Sequence, residues 1–576
     1  MQRFLLVMAA LAAAICVFAG LTLPPRRLPL APSADGTVSG ILHIHTTRSD
    51  GRGTPDEVAA AASRAGVSFI VFTDHGDATR TPDAPVYRSG VLCLDGVEIS
   101  TTGGHYVALD MGAAPYPLAG EPRDVVEDVR RLGGFGIAAH PDSPKPELRW
   151  SDWDAPVDGV EWINPDTSWR VHAVTGWRSR FRLLEGFLHY PIRPAETLAR
   201  LLTGFEDTMD HWTALAARRP VVGLAGSDAH AKLELHNADP GDNRFSIPLP
   251  NYEASFRVLS VHVTPERPLS GLPGDAAADA ALVMRAIRAG HLYVAIDGFA
   301  SPPAFEFTAA NRRGTAHQGD ELGVGGPVSL HVRSNAPPGF TTIIWRGSEM
   351  LASEPRNELS IEAGEEPAVY RAEVRTNDPD RPRTWLLGNA VYVGAPQPVQ
   401  APPHVPATLE TALFDGRTDS GWHLETDPSS KAALDVGETL AGFELRYRYA
   451  LARDSAAGSQ WAALVWGTPI GHAPIHVADF DRLTFTARAD KPMRISVQLR
   501  TLETGRTLRR WQRSIFLDTF DQERTVYFND LVPSAGTDPE KPVLDQVSQI
   551  LFVVDTTNTK PGASGRFWIK SAAFQK

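Results

Sequence analysis

Nine histidine and acidic side chains between positions 43 and 230 stand out as candidate metal ligands. They occur in six short segments, LHIHTTRSDG, FTDHGD, GVEIS, GGHYVALD, AAHPD and GSDAH, which carry His43, His45, Asp50, His75, Glu98, His105, His140, Asp228 and His230. Several of these segments end apolar, β-like runs: His75 follows VSFIVFTD, Glu98 ends LCLDGVE, His140 ends GFGIAAH, and Asp228 and His230 follow VVGLAGS. A fold that uses them must bring the ends of several strands to one place. In parallel α/β barrels the C-terminal strand ends form such a functional face.

His43 and His45 are two apart in an apolar run, so strand periodicity points both imidazoles to one face. Singly, each residue has an ordinary explanation. Asp50 in Ser-Asp-Gly fits a turn, Asp228 fits a helix cap, and a lone histidine at a strand end fits a hydrogen-bonded surface group. Together, buried strand ends rich in His and acid need a cation to offset their desolvation. Nine ligands suit two or three ions. Imidazole and carboxylate suit Zn, Mn or Fe rather than calcium alone. The only cysteines are Cys16 and Cys93, which excludes a multi-thiolate zinc site and a disulfide framework. A carboxylate such as Glu98 can bridge two metals. Two ions about 3.5–4 Å apart activate a bridging hydroxide, so no separate general base is required.

With 576 residues, three or more domains are expected. From about Thr37 to Gly298, β-like runs alternate with helical ones, as in VSGILHIHT, PDEVAAAASRAG and VSFIVFTD. This is the rhythm of a parallel sheet or barrel. Thr54 followed by Pro55, Asp56 and Glu57 marks a helix start, and AETLARLLTGFEDTMDHWTALAARR reads as one longer helical stretch. From 301 short alternating runs between Gly, Pro and Asn clusters read as a small β-sandwich. A Pro-rich linker at 397–408 precedes a second all-β domain.

The N-terminal run FLLVMAALAAAICVFAGLTL is uncharged, and a Pro- and Arg-rich linker follows it. The run reads equally as a cleaved secretory signal or a retained membrane anchor, so the protein is expected to be exported to the periplasm or beyond the cell. Net charge is −12. The chain lacks the overall basic footprint of a nucleic-acid binder, which disfavours nucleic acid as the substrate.

The ordered set H-x-H-T-x-x-S-D-G, T-D-H, V-E, A-H-P and S-D-A-H resembles the PHP (polymerase and histidinol phosphatase) family over about 37–300. The resemblance implies an α/β fold with a distorted (β/α)7 barrel, followed here by two β-sandwich domains. The boundaries are 1–33 for signal or anchor with linker, 34–300 for the metallohydrolase, 301–396, 397–408 for the linker, and 409–576. It implies that His43, His45, Glu98 and Asp228 hold one metal. Glu98 then bridges to a second held by His105 and His140, and Asp50, His75 and His230 hold a third. Asp228, His230 and Glu98 carry catalysis on this reading. The implied activity is hydrolysis of a phosphomono- or diester of a small molecule by a metal-bridging hydroxide. RAGHLYVAIDGFASPPAFEF and WLLGNAVYVG resemble a branch that includes a carbaryl hydrolase, which adds carboxyl and carbamate esters as an alternative. A nuclease and a non-catalytic carbohydrate-binding surface protein complete the alternatives.

Residues 149–190 are dense in Trp and Arg. They read as a lid over the metal face, as a membrane-interface loop, or as ordinary packing. In this stretch Asn164 and Arg170 are candidate substrate contacts, the latter for a phosphate. The last domain, with Trp422, Trp461, Trp466, Trp511 and Trp568, resembles galactose-binding-like β-sandwiches. Its tryptophans suit either a core or a platform for carbohydrate.

Overall fold

The computed structural model describes residues 2–32, 36–203, 205–234, 246–378, 382–394, 406–414, 416, 419–439, 442–454, 460–467, 475–502, 508–534 and 541–576. The N-terminal apolar run forms α1 (Gln2–Thr22). Among the described residues no helix is long and apolar enough to cross a membrane. Most of the Pro-rich linker at 397–408 lies outside the described residues.

The first compact unit comprises residues 1–77, 81–112 and 126–399. The edge pair β1 (Leu28–Pro29) joins Ala300–Ser301. The strands that matter for the site are β2 (Val38–Ile44), β3 (Phe69–Phe72), β5 (Val91–Asp95), β6 (Val97–Thr101), β7 (Gly104–Leu109), β8 (Phe135–Ala138), β9 (Gly159–Ile163) and β10 (Val222–Ala229), with β4 (Val86–Arg88) on the edge of β5. Parallel pairings run β10–β2–β3–β5 and β8–β9–β10. β6–β7 and β7–β8 are antiparallel. β5 continues into β6 across Gly96, and the ring closes.

The architecture is mixed α/β and departs from a regular alternation. α2 (Pro55–Ala65) links β2 to β3, and α3 (Pro122–Arg131) links β7 to β8. Among the described residues no helix lies between β3 and β7 or between β8 and β9. A regular one-helix-per-strand alternation is therefore not shown among the described residues. The cause is local. In Thr-Thr-Gly-Gly at 101–104, the Thr101 hydroxyl accepts from Gly103 N and donates to Gly104 O, and Gly104 sits at φ 109°. That turn folds β6 onto β7 as a hairpin where a crossover helix was expected.

The helix-start signal at Thr54 is a full capping box with Glu57, and Gly66 ends α2 in the left-handed region. The apolar face of α2 (Val58, Ala59, Ala62) packs on Ile41, Ile70 and Phe72. The stretch expected as one long helix is two, α6 (Pro194–Leu201) and α7 (Glu206–Ala216). They follow α4 (Pro165–Val174) and α5 (Gly176–His189) between β9 and β10. Beyond β10 come the short pair β11 (Leu233–Glu234) and β12 (Ser246–Ile247), α8 (Tyr252–Phe256), β13 (Ser260–Val263), α9 (Ala276–Ala289) and β14 (Leu292–Ala295).

The region 301–396 is β-rich as expected. One four-stranded sheet orders 314–317, 305–311, 328–334 and 358–363. The other strands join the first region directly, because Thr384–Gly388 pairs with β14. Tyr293 and Ala295 share a core with Phe305, Leu330, Tyr370 and Trp385.

The second unit is built mainly from residues 400–576. Two antiparallel sheets share one core, with Leu445, Tyr447, Phe567 and Ile569 from one and Leu464, Val497, Leu499 and Ile550 from the other. This is a β-sandwich. Trp422 and Trp511 are core residues, and the partly buried Trp466 and Trp461 pack against core clusters. Trp568 lies between the guanidinium groups of Arg488 and Arg566.

Candidate metal centre

Every one of the nine predicted ligands belongs to the first unit, and contacts between neighbours link all nine. Glu98 on β6 is the hub, 1% exposed. Its Oε1 lies 2.8 Å from both His105 Nδ1 and His140 Nε2. Its Oε2 lies 3.2 Å from His43 Nε2, 3.1 Å from His45 Nε2 and 3.2 Å from His75 Nδ1. The two oxygens of one carboxylate thus face two different sets of imidazoles. Asp228 Oδ1 lies 3.5 Å from His43 Nε2 and 3.3 Å from His45 Nε2. Asp50 Oδ1 lies 3.2 Å from His230 Nε2.

Three groups bring their ligand atoms within 4.8 Å of one another: His43, His45, Glu98 and Asp228; His45, Asp50, His75 and His230; and His75, Glu98 and His105. The first is the set implied by the family resemblance. The second adds His45 to the implied third set. The last pairs Glu98 and His105 with His75, while His140 reaches the same Glu98 oxygen as His105.

The backbone explains how these side chains converge. His43, His140 and Asp228 adopt positive φ (60°, 29° and 50°). Each such non-glycine conformation costs about 1–3 kcal/mol. Register shifts lie beside two of them, between Ile41 and Ile44 on β2 and between Gly226 and Ala229 on β10. Such irregularities re-aim side chains near functional sites. His43 and His45 do converge, with ring centroids 5.2 Å apart, but through a bulged strand end rather than simple alternation.

The donor set fits divalent cations. The Glu161 carboxylate can only accept, so His43 Nδ1 donates to Glu161 Oε1 across 2.6 Å. That leaves Nε2 aimed between Glu98 and Asp228. His43 Nε2, His45 Nε2 and His75 Nδ1 are buried and lack a hydrogen-bond partner among the described residues. Buried polar atoms normally find partners. These converge on shared points between carboxylate oxygens, which is what a cation would satisfy.

The same geometry shapes protonation. Burial lowers the pKa of His45, but Asp228 and Glu98 more than offset this and hold it up at about 10. His43 is raised well above its usual value, because Glu161, Glu98 and Asp228 outweigh its burial. Burial dominates at His75 and lowers it to about 4. Glu98 and Asp228 stay well below the carboxylate range: burial pushes them up, and His43 chief among their histidine neighbours pulls them down further. The metal-free site therefore holds protons at neutral pH that metal binding must release. Metal affinity is expected to rise between pH 6 and 9, by about tenfold per pH unit for each proton displaced. Calorimetric titration in buffers of different ionisation enthalpy measures that release. Affinity independent of pH, with no proton released, would contradict it.

Two residues of the site went unread in the sequence. Glu161 in the middle of β9 holds His43, accepts from His140 N at 2.8 Å and accepts from Asn164 Nδ2 at 3.1 Å. A charged residue inside the apolar run GVEWI is the signal. Lys232, two residues past His230, is buried and places Nζ 3.5 Å from Asp50 Oδ2. Asn164 and Arg170, the candidate substrate contacts, each make hydrogen bonds within the protein. Asn164 caps α4, accepting from Thr167 N, and supports Glu161. Arg170 pairs with Asp166 and lies over the Trp169 ring.

The Trp- and Arg-rich stretch divides by position. Trp150 and Trp162 are core residues, Trp153 stacks on His211, and Trp177 is 73% exposed.

No family model matches the chain. Over 137 residues it is 29% identical to an uncharacterized protein of Methanocaldococcus jannaschii, which covers 21% of this chain and 80% of that protein. Over 126 residues it is 32% identical to the 3′,5′-nucleoside bisphosphate phosphatase of Chromobacterium violaceum. That match spans 19% of this chain and 43% of the phosphatase, less than half of its length. Among solved structures, a family 11 carbohydrate-binding module from Clostridium thermocellum aligns at 15% identity and a TM-score of 0.24, over 29% of this chain and 95% of the module. A family 30 carbohydrate-binding module aligns at 12% identity and a TM-score of 0.23, over 29% of this chain and 99% of that one.

Proposed function

We propose that this protein is a metal-dependent hydrolase of the PHP type that cleaves phosphomono- or diesters. The observation that carries the reading is the division of Glu98, with one oxygen toward His105 and His140 and the other toward His43, His45 and His75. The partial similarity to a bisphosphate phosphatase supports it. Taking β5 and β6 as one bent strand, the ring β2, β3, β5/β6, β7, β8, β9 and β10 has seven positions, which supports a distorted (β/α)7 barrel.

Two or three ions of Zn, Mn or Fe bound here would lower the pKa of water and offset the charge developing on the ester oxygens. The chain's own residues hold and orient. Glu98 would be shared between ions, Asp228 and His230 would complete the ligand sets, and Glu161 holds His43. Lys232 adds a cation beside Asp50, which suits an anionic ester. Asn164 serves by holding Glu161, and Arg170 by holding Asp166. Export, through the apolar N-terminal run as signal or anchor, belongs to the same proposal.

A carboxyl or carbamate ester hydrolase on the same metals is the second reading. The apolar cavity beside Asp228 and His230, which receives uncharged groups readily, favours it. Matched nitrophenyl phosphate, phosphodiester, acetate and carbamate, assayed with Zn, Mn and Fe, separate the two. Phosphate esters are expected to be turned over at least about 10²-fold more efficiently, as loss of several kcal/mol of charge stabilisation would dictate. Preferential turnover of acetate or carbamate would replace it with the second reading.

A further inference from the structure

A cavity of about 300 Å³ opens directly off the metal centre. Its inner end is polar. Asp228, His230 and Lys232 line it, and so does Ser227, whose buried Oγ has no hydrogen-bond partner among the described residues. Away from that end the wall is mainly aliphatic and aromatic. Trp169 of α4, Leu183 and Phe187 of α5, Leu198 and Leu201 of α6, and Leu249 line it. A product such as free phosphate, or a fully polar substrate, would leave that wall in contact with water and gain nothing from it. A ligand with a charged ester at one end and hydrocarbon at the other matches both parts.

We infer that this cavity takes the hydrocarbon chain of the substrate, so that the hydrolysed molecule is an amphiphile whose ester lies at Asp228 and His230 and whose chain runs between α4, α5 and α6. This rests on the hydrolase reading and narrows it to a substrate class. The volume of about 300 Å³ has room for a hydrocarbon chain of several carbons. The source of the amphiphile is a dissolved monomer or a lipid surface. Helix α5, which walls the cavity, also exposes Trp177, Phe181 and Leu184 beside Arg178, Arg180 and Arg182. Such a mixture of apolar and cationic side chains settles at anionic lipid.

The test uses the metal-loaded full chain and ethyl, butyl, hexyl, octyl and decyl phosphate below their micelle concentrations, followed by phosphate release. Each buried methylene is expected to raise kcat/KM by about two- to fourfold, levelling off once the cavity is filled. Values that stay flat or fall from ethyl to octyl overturn the inference while leaving the hydrolase reading intact. Leu183→Trp and Leu198→Trp each fill the cavity from a different helix, so one serves if the other misfolds. Either is expected to cut the octyl-to-ethyl ratio of kcat/KM by at least about tenfold. An unchanged ratio in both folded variants overturns the inference.

If no phosphate ester is cleaved, binding of octylphosphonate and ethylphosphonate measured by calorimetry decides separately. Tighter binding of the octyl compound keeps the chain-binding cavity and rejects the phosphoesterase reading. Equal binding rejects the cavity's assignment. Octyl phosphate offered in phosphatidylglycerol vesicles rather than in solution separates the two sources. Faster turnover in vesicles assigns the lipid surface, and faster turnover in solution assigns the dissolved monomer.

Discussion

Replacing His43 or Asp228 by alanine is expected to abolish measurable hydrolysis while the chain remains folded. Both residues belong to the group in which His43, His45, Glu98 and Asp228 bring their ligand atoms within 4.8 Å. Loss of one removes a ligand from the most buried of the three groups. A metal contributes several kcal/mol of charge stabilisation, and each 1.4 kcal/mol is tenfold in rate. The expected fall in kcat/KM is therefore about 10²–10⁴-fold. Metal content should drop by about one equivalent, and the rise in Tm on metal addition should shrink, because ligand binding stabilises by mass action. Circular dichroism establishes folding independently. A folded His43→Ala protein with full activity and full metal content would remove this group from the account.

The second large effect belongs to Glu161, which need not touch a metal at all. Its Oε1 accepts from His43 Nδ1 and its Oε2 from His140 N and Asn164 Nδ2, so one carboxylate orients two ligands. Outer partners of this kind are worth about 10–100-fold in metal affinity. Glu161→Gln keeps the shape and an acceptor but loses the charge, and is expected to weaken metal binding by that factor. Gly226→Ala approaches the same carboxylate from the neighbouring strand. A Cβ there would lie 1.8 Å from Glu161 Oε1, so Glu161 must leave His43. The two variants should match in metal affinity and in the pH dependence of binding. A merely structural role for Glu161 would lower stability and leave metal affinity unchanged. Competition titration against a chromophoric chelator distinguishes the outcomes.

Much of the centre was legible because its ligands sit at strand ends, where a short motif in sequence is also a short distance in space. H-x-H and S-D-A-H each place two groups at the site by local geometry alone. Local patterns also marked the helix start at Thr54. What stayed unread depends on contacts between segments. Glu161 matters because β9 runs beside β10, where Gly226 leaves room for its carboxylate, and neither strand announces the other. Asn164 follows β9, and its amide meets both Thr167 and Glu161. The hairpin that carries Glu98 and His105 was hidden for another reason. Its turn, Thr-Thr-Gly-Gly, is short, and the β-like runs on either side carry no sign of whether they pair parallel or antiparallel. The continuity of Thr384–Gly388 with β14 is a long-range pairing of the kind periodicity cannot reveal.

Metal analysis of the purified chain addresses the central claim most directly. Elemental analysis by plasma mass spectrometry, after expression in medium supplemented with Zn, Mn and Fe, should find two to three equivalents per chain. Chelation should abolish hydrolysis of phosphate esters and readdition restore it. Less than one equivalent of any transition metal after supplementation, in a folded protein, would contradict the account.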